Sequence, residues 1–298
     1  MARHSLALRA ALAMVTSVVS TSTVAQAPAP APATTITLGQ VGLSFYAVVG
    51  GVVQEVLERD GYTVLVIQGP HAEIFPRLGN GEVDIFAAAW LPNGHASLYA
   101  PVKDSTFLIA PLYEDARFFW VVPAYVPDTL LSSLADLARP AVRERLSPRI
   151  VSLPATTGLT ISAQHVLDAY HLGDAGYVVA PGSPEAWMSA FEQAVAAREW
   201  IVFPLWQPHW LNAAWPLRRL SDPKNAYGEP DVAWLLGHRS LQTKLSPGTL
   251  ATLGRIRLSI DAVTDMDEMV NLEGVTPRVA AARWMAANPA IVTAWTSP

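Results

Sequence analysis

Hydrophobic and polar positions along this chain follow two periods, and the switching between them sets out its elements. Thr35-Ile36-Thr37-Leu38 alternates with a period of two and runs into Gly39-Gln40-Val41-Gly42, a strand ending in a glycine turn. From Leu43 to Asp60 the apolar positions Val48, Val49, Val52, Val53, Val56 and Leu57 recur at helical spacing, and Gly61 stands at the C-cap position. Tyr62 to Gln68 reads as a second strand, and His71 to Leu78 as a short helix closing at Gly79-Asn80-Gly81. Asp84-Ile85-Phe86-Ala87 is a third strand leading to Trp90-Leu91-Pro92. Strand and helix alternate, which predicts a parallel sheet with covering helices.

The middle of the chain repeats the style without repeating the sequence. Phe118 to Val122, Arg149 to Leu153, Tyr177 to Val179 and Trp200 to Leu205 read as strands. Between them lie helices over Ser133 to Leu137, Thr160 to Tyr170 and from Ser183-Pro184-Glu185 to Arg198. The last of these has Ser at the N-cap, Pro in the first turn and an acid at the positive helix end. From Asp231 on, one more strand (Val232 to Leu236) precedes helices, of which Arg278 to Asn288 is amphipathic and followed by Pro289.

Residues 1–27 have the layout of an export leader: Arg3 and Arg9, an apolar run from Ala10 to Val19, and the small-x-small site Ala25-Gln26-Ala27. The run is shorter than the roughly 20 residues a membrane span needs. Pro28 to Thr34 then reads as a Pro/Ala tether, and the expected product is an exported, soluble, periplasmic protein. With 51% hydrophobic and 15% charged residues the chain has the material for a core. A net charge of −5 argues against a nucleic-acid partner. The absence of cysteine excludes disulfides, thiolate catalysis and a lipidated N-terminal cysteine.

Catalytic signatures are missing: there is no G-x-S-x-G, H-E-x-x-H, Walker A or G-x-G-x-x-G. None of the seven histidines has another three to five positions away. Asp265, Asp267 and Glu268 lack the glycine and spacing of a calcium loop and read as a helix N-terminus. No enzyme activity, metal or cofactor is expected.

Ten tryptophans, more than the eight each of Phe and Tyr, are the compositional oddity. Trp90, Phe118-Phe119-Trp120, and Trp206 with Trp210 lie at or near strand ends, where open α/β sheets place ligands. Rings converging there would form a box for a cation, while the turns Gly42-Leu43-Ser44 and Thr157-Gly158-Leu159 offer backbone amides to an anion. Packing is the alternative reading for any single ring, and Trp187, Trp200, Trp215, Trp234, Trp284 and Trp295 are assigned to it.

Several stretches carry a family resemblance. They are Gly61-Tyr62-x-Val64, Gly81-Glu82-Val83-Asp84 leading to Trp90-Leu91-Pro92-x-x-His95, and Val122-Pro123-Ala124-Tyr125, followed by Gly182-Ser183-Pro184-Glu185-Ala186-Trp187-Met188. The most specific is Leu205-Trp206-Gln207-Pro208-His209-Trp210, and Ser221-Asp222-Pro223 and Trp284 to Pro289 follow in the same order. Together they make the chain, from about Ile36 to its end, resemble the glycine betaine/choline-type substrate-binding proteins of ABC importers.

The resemblance implies an α/β, two-lobed type II periplasmic binding-protein fold with a hinge and an interlobe ligand cleft. One lobe would hold 35–118 plus 211–298 and the other 119–210. It implies a monomer that captures a quaternary ammonium or betaine-type osmolyte and delivers it to an inner-membrane permease with its ATPase. Trp90 and Trp206 match cage positions, His209 and Trp210 the segment beside the cage, and Phe119 or Trp120 a further wall. His95 belongs to the Trp90 motif. Leu43, Ser44 and Phe45 occupy the first glycine turn, with Thr157 and Gly158 at the second.

Leu43 and Phe45 stand where the family often has Trp and where its choline branch has Asp, which disfavours choline more than a zwitterionic betaine. A different polar or apolar solute, a role as a ligand sensor, or an exported enzyme on the same scaffold are the alternatives.

Overall fold

The computed structural model describes Met1 and residues 34–297, so the leader beyond Met1 and the tether up to residue 33 lie outside the described residues. The first half contains β1 (Thr35–Gln40), α1 (Ser44–Arg59), β2 (Thr63–Gln68), α2 (His71–Gly79), β3 (Ile85–Leu91), α3 (Ala96–Tyr99) and β4 (Thr106–Pro123). A 3-10 turn over Leu134–Ala138 precedes α4 (Pro140–Arg143), β5 (Arg149–Ser152), α5 (Gly158–Ala169), β6 (Val178–Pro181), α6 (Pro184–Ala196), β7 (Phe203–Gln207), α7 (Leu211–Ala214) and β8 (Leu217–Arg219). After β9 (Asp231–His238) come five helices: α8 (Leu241–Lys244), α9 (Pro247–Arg255), α10 (Ile260–Glu273), α11 (Pro277–Ala287) and α12 (Pro289–Thr296).

The parallel-sheet expectation holds for part of the molecule only. β1 pairs in parallel with β2 and β3, and β5 with β6. β9 runs antiparallel to both β3 and β4, and β4 antiparallel to β7 and β8, so the main sheet is mixed. The cause is β4. Its 18 residues pair with β9 through the first part and with β7 and β8 through the second, making one strand common to both halves of the molecule. The sequence reading recognised Phe118 to Val122 alone, because Pro111 and the polar Glu114-Asp115 break the apolar pattern upstream. Register shifts at Ala110, Tyr113 and Ala116 absorb these residues as irregularities of the ladder.

Two clusters form the core. The larger joins β1, β3, α1 and the C-terminal helices and continues through Leu153, Leu159, Trp187 and Trp206. The smaller gathers Trp120, Val122, Ile150, Val166, Tyr170 and Leu220. Leu217–Arg219 pairs with β4, and Leu220 lies in the second cluster. Trp187, Trp284 and Trp295 are buried, in keeping with a packing role. The acidic group Asp265, Asp267 and Glu268 is not at a helix N-terminus as expected. It lies in the middle of α10, whose N-cap is Ser259, and Asp267 is fully buried. No helix among the described residues is long and apolar enough to cross a membrane.

Candidate functional site

A cavity of about 400 Å³ lies at the carboxyl ends of the parallel strands. Val41, Gly42 and Leu43 follow β1, Gly69 and Pro70 follow β2, Leu153 and Pro154 follow β5, and Pro184 follows β6. This is the side on which open α/β sheets bind ligands. The same connections begin helices, so α1, α2, α5 and α6 all present their N-terminal ends to the cavity. Their first-turn or capping residues Leu43, His71, Thr157 and Pro184 are in its wall. A helix N-terminus carries roughly half a positive charge and unpaired amides. Thr157 and Ser183 cap α5 and α6 with side-chain oxygens, whereas Leu43 and Pro70 provide no side-chain cap to α1 and α2.

Aromatic rings make up much of the rest of the wall. Trp90 near the end of β3, Trp206 near the end of β7, Phe45 of α1 and Phe118 of β4 all line it. Phe45 sits between the two indoles, 5.8 Å from Trp90 and 5.6 Å from Trp206 between ring centres, and Phe118 is 5.2 Å from Trp90. The Trp90 indole is anchored, its Nε1–H donating to the Tyr113 hydroxyl at 2.9 Å. Trp206 is held by packing, stacked on Trp187 at 5.3 Å and met edge-on by His209 at 4.4 Å.

Among the residues that the sequence points to, the structure brings Trp90, Trp206, Leu43, Phe45, His95, Thr157 and Gly158 to the cavity. Phe119 and Trp120 are not in its wall: Trp120 lies in the second core cluster, and Phe119 is buried beneath the Arg219 guanidinium, 3.6 Å from its ring. Phe118 takes the expected place. His209 also stands behind the wall, its Nδ1 accepting the Leu211 amide at 3.1 Å, and burial pushes its imidazole down to about 3, so it is neutral. Ser44 and Trp210 are likewise outside the cavity. The Trp210 amide donates to Asp267 at 2.8 Å, and Asn271 donates to both Asp267 and Ser44 at 3.1 and 3.0 Å.

Polar side chains in the wall include Gln68, Tyr46, His71 and His95. The Trp90 backbone N–H donates to His95 Nδ1 at 2.8 Å, so the ring proton resides on Nε2. Burial holds His95 well below the usual histidine range, with the neighbouring His71 adding to the effect. Burial likewise pushes His71 down to about 4. Tyr46 is raised by burial and stays protonated. The loop bearing His95 is fixed by Asp231, which accepts the Asn93 and Gly94 amides at 2.6 and 2.8 Å. The sequence reading missed Tyr46, His71 and Gln68, and it preferred Phe119 or Trp120 to their neighbour Phe118. His71 follows the end of β2, and the strand-end rule that selected Trp90 applies equally there.

The architecture, with α/β halves joined through β4 and a cavity at strand ends, is a type II periplasmic binding-protein fold. Among solved structures, lactococcal OpuAC in its closed conformation with glycine betaine has a TM-score of 0.78 at 23% identity, covering 88% of this chain and 99% of that one. An ABC-transporter choline-binding protein in complex with choline has a TM-score of 0.74 at 21% identity, covering 88% and 91%. Residues 34–287 match the family described as the substrate binding domain of ABC-type glycine betaine transport systems, and the chain belongs to that family of extracytoplasmic substrate-binding transport proteins. The glycine betaine/carnitine transport binding protein GbuC of Listeria monocytogenes serotype 1/2a (strain 10403S) is 28% identical over 159 residues, 53% of this chain and about half (52%) of that protein's length.

Proposed function

We propose that this cavity binds a zwitterionic N-methylated amino carboxylate of the glycine betaine type. The observation that carries the reading is the make-up of its wall: aromatic rings, helix N-termini and neutral imidazoles, with no Asp, Glu, Lys or Arg side chain among the lining residues described. A quaternary ammonium cannot donate hydrogen bonds and is met by ring faces, each contributing roughly 0.5–2 kcal/mol. Trp90, Trp206, Phe45 and Phe118 provide those faces. A carboxylate is met by unpaired amides at the N-terminus of α1 and by His95 Nε2–H. Choline has no carboxylate to meet the positive helix ends, and no lining carboxylate offsets them. The chain is then the soluble receptor of an importer, exported through a leader cleaved after Ala27. It works in the periplasm as a monomer divided near β4 into two lobes, closes on its ligand without chemistry and docks on a permease with its ATPase.

Isothermal titration calorimetry of refolded, ligand-stripped protein with glycine betaine, proline betaine, carnitine and choline tests this. A betaine should bind at micromolar affinity or tighter, about −8 kcal/mol or better, with choline at least about tenfold weaker. Equal affinity for choline removes the carboxylate half of the proposal, and no binding by any of the four removes the whole.

A further inference from the structure

We propose that His71 is a second imidazole contact for the ligand carboxylate, beside His95, and that it makes capture coupled to proton uptake. The inference rests on the zwitterion reading above. The two rings lie 4.1 Å apart between centres, and both are in the cavity wall. Their environments differ. His95 has its Nδ1 engaged by the Trp90 amide and can only present Nε2–H. His71 Nε2 has no hydrogen-bond partner among the described residues and lies against protein atoms, so a half-turn of the ring about its Cβ–Cγ bond would be needed to bring a nitrogen from that edge to a ligand. Buried polar nitrogens are rarely left without a partner, and a carboxylate in the cavity would meet this one. His71 also opens α2, whose first turn has no side-chain cap, so the ring and the start of the helix are both in the cavity wall.

The charge logic follows from the surroundings. Tyr46 of α1 packs against the His71 ring edge-on at 5.3 Å and is protonated. Tyr113 of β4 and Asp231 of β9 act on Tyr46 from behind, with the Asp231 carboxylate occupied by the Asn93 and Gly94 amides. Glu73, on the same helix as His71, is exposed. Both imidazoles are thus neutral in the free protein. A carboxylate placed against them favours the imidazolium form. The proton comes from solution to the His71 ring, and no covalent bond in the ligand changes. Uptake is confined to the interval between His71's free value, about 4, and its higher value in the complex, so affinity rises as pH falls through that interval.

Calorimetry with glycine betaine, run in buffers of different ionisation enthalpy, measures the protons directly. Wild-type protein should take up a substantial fraction of a proton per ligand at pH 5.5 and almost none at pH 8. Its affinity should be roughly three- to tenfold higher at the lower pH, as a bound-state shift of about two pH units requires. His71→Gln keeps a donor without titrating and should bind with little or no uptake, while His71→Phe keeps the ring shape and should lose about tenfold or more in affinity. Thermal melts verify that both fold. Wild-type affinity in His71→Phe, or unchanged uptake in His71→Gln, overturns the proposal while leaving the betaine reading standing. Failure of the wild type to bind any zwitterion overturns both.

Discussion

At the scale of single residues the two tryptophans of the cavity wall are unequal. Trp90 has a hydrogen bond to fix its plane, whereas Trp206 Nε1 has no partner among the described residues and its ring depends on Trp187 and His209 for orientation. Trp206→Leu preserves much of the bulk and removes the aromatic face. It should raise the Kd for glycine betaine about 10- to 100-fold, combining a lost cation–π contact with lost apolar contact at ~1.4 kcal/mol per tenfold. Trp206→Phe should lose less. Calorimetry gives the affinities and circular dichroism the fold. A Trp206→Leu protein that binds like wild type shows that this ring is not part of the cage. The same scale shows what a sequence reveals of a site. Trp90 and Trp206 were legible because strand ends in an α/β sheet face the ligand. The neighbours Phe118, Phe119 and Trp120 were not separable by composition. The cavity takes Phe118, Arg219 covers Phe119, and Trp120 enters the other core.

At the scale of elements the connection between α10 and the cavity was invisible in sequence, because Asp267 is remote in the chain from Ser44 and Trp210. Its carboxylate accepts the Trp210 amide after β7 and the side chains of Ser44 and Asn271, so one buried group ties the start of α1 to the segment following Trp206. Two residues expected in the site, Ser44 and Trp210, thereby serve it from behind. Burial, opposed by those hydrogen bonds and assisted by Glu268, raises Asp267 to about 6. The folded state therefore holds this proton more tightly than the unfolded chain. Its contribution to stability is fully present below the unfolded value near 4 and is lost as pH rises to about 6. A shift of about two units corresponds to roughly 3 kcal/mol. Asp267→Asn does not titrate, so its stability relative to wild type should improve by up to about that amount between pH 4 and pH 7, as read from urea melts. A constant difference across that range means Asp267 does not titrate as its burial requires. The helices whose N-termini line the cavity were only half legible. Gly42-Leu43-Ser44 and Thr157-Gly158-Leu159 announced α1 and α5 as amide donors, while α2 and α6 were seen as helices without their shared destination.

At the scale of the whole molecule the decisive contact lies between two glycines remote in the chain, one of them in the cavity wall. Gly158 begins α5, and Gly94 lies in the loop after β3. A Cβ on Gly158 would stand 2.9 Å from Phe118 Cζ and 3.2 Å from the Gly94 carbonyl oxygen. A Cβ on Gly94 would stand 3.0 Å from Asp231 Oδ2 and 3.3 Å from Trp90 Cβ. Phe118, on the strand shared by both halves, is thus clasped where they meet, and only residues without side chains allow so close an approach. If the halves move about β4 as hinged lobes, this clasp forms on closure and breaks on opening. Gly158→Ala tests that geometry. Alanine is a better helix former than glycine, by up to about 1 kcal/mol, so the fold itself gains. Closure, however, has to push Phe118 or the Gly94 carbonyl aside. The variant should melt no lower than wild type and release glycine betaine about tenfold faster in stopped-flow fluorescence, since closure acts mainly on the off-rate. It should also show a smaller ligand-induced decrease in radius of gyration by small-angle X-ray scattering. Gly182→Ala is the control: its Cβ would meet nothing closer than 3.5 Å, an ordinary contact, and release should be unchanged. Identical release from both variants means that closure does not pass through this contact and that the cavity is sealed by its aromatic wall alone.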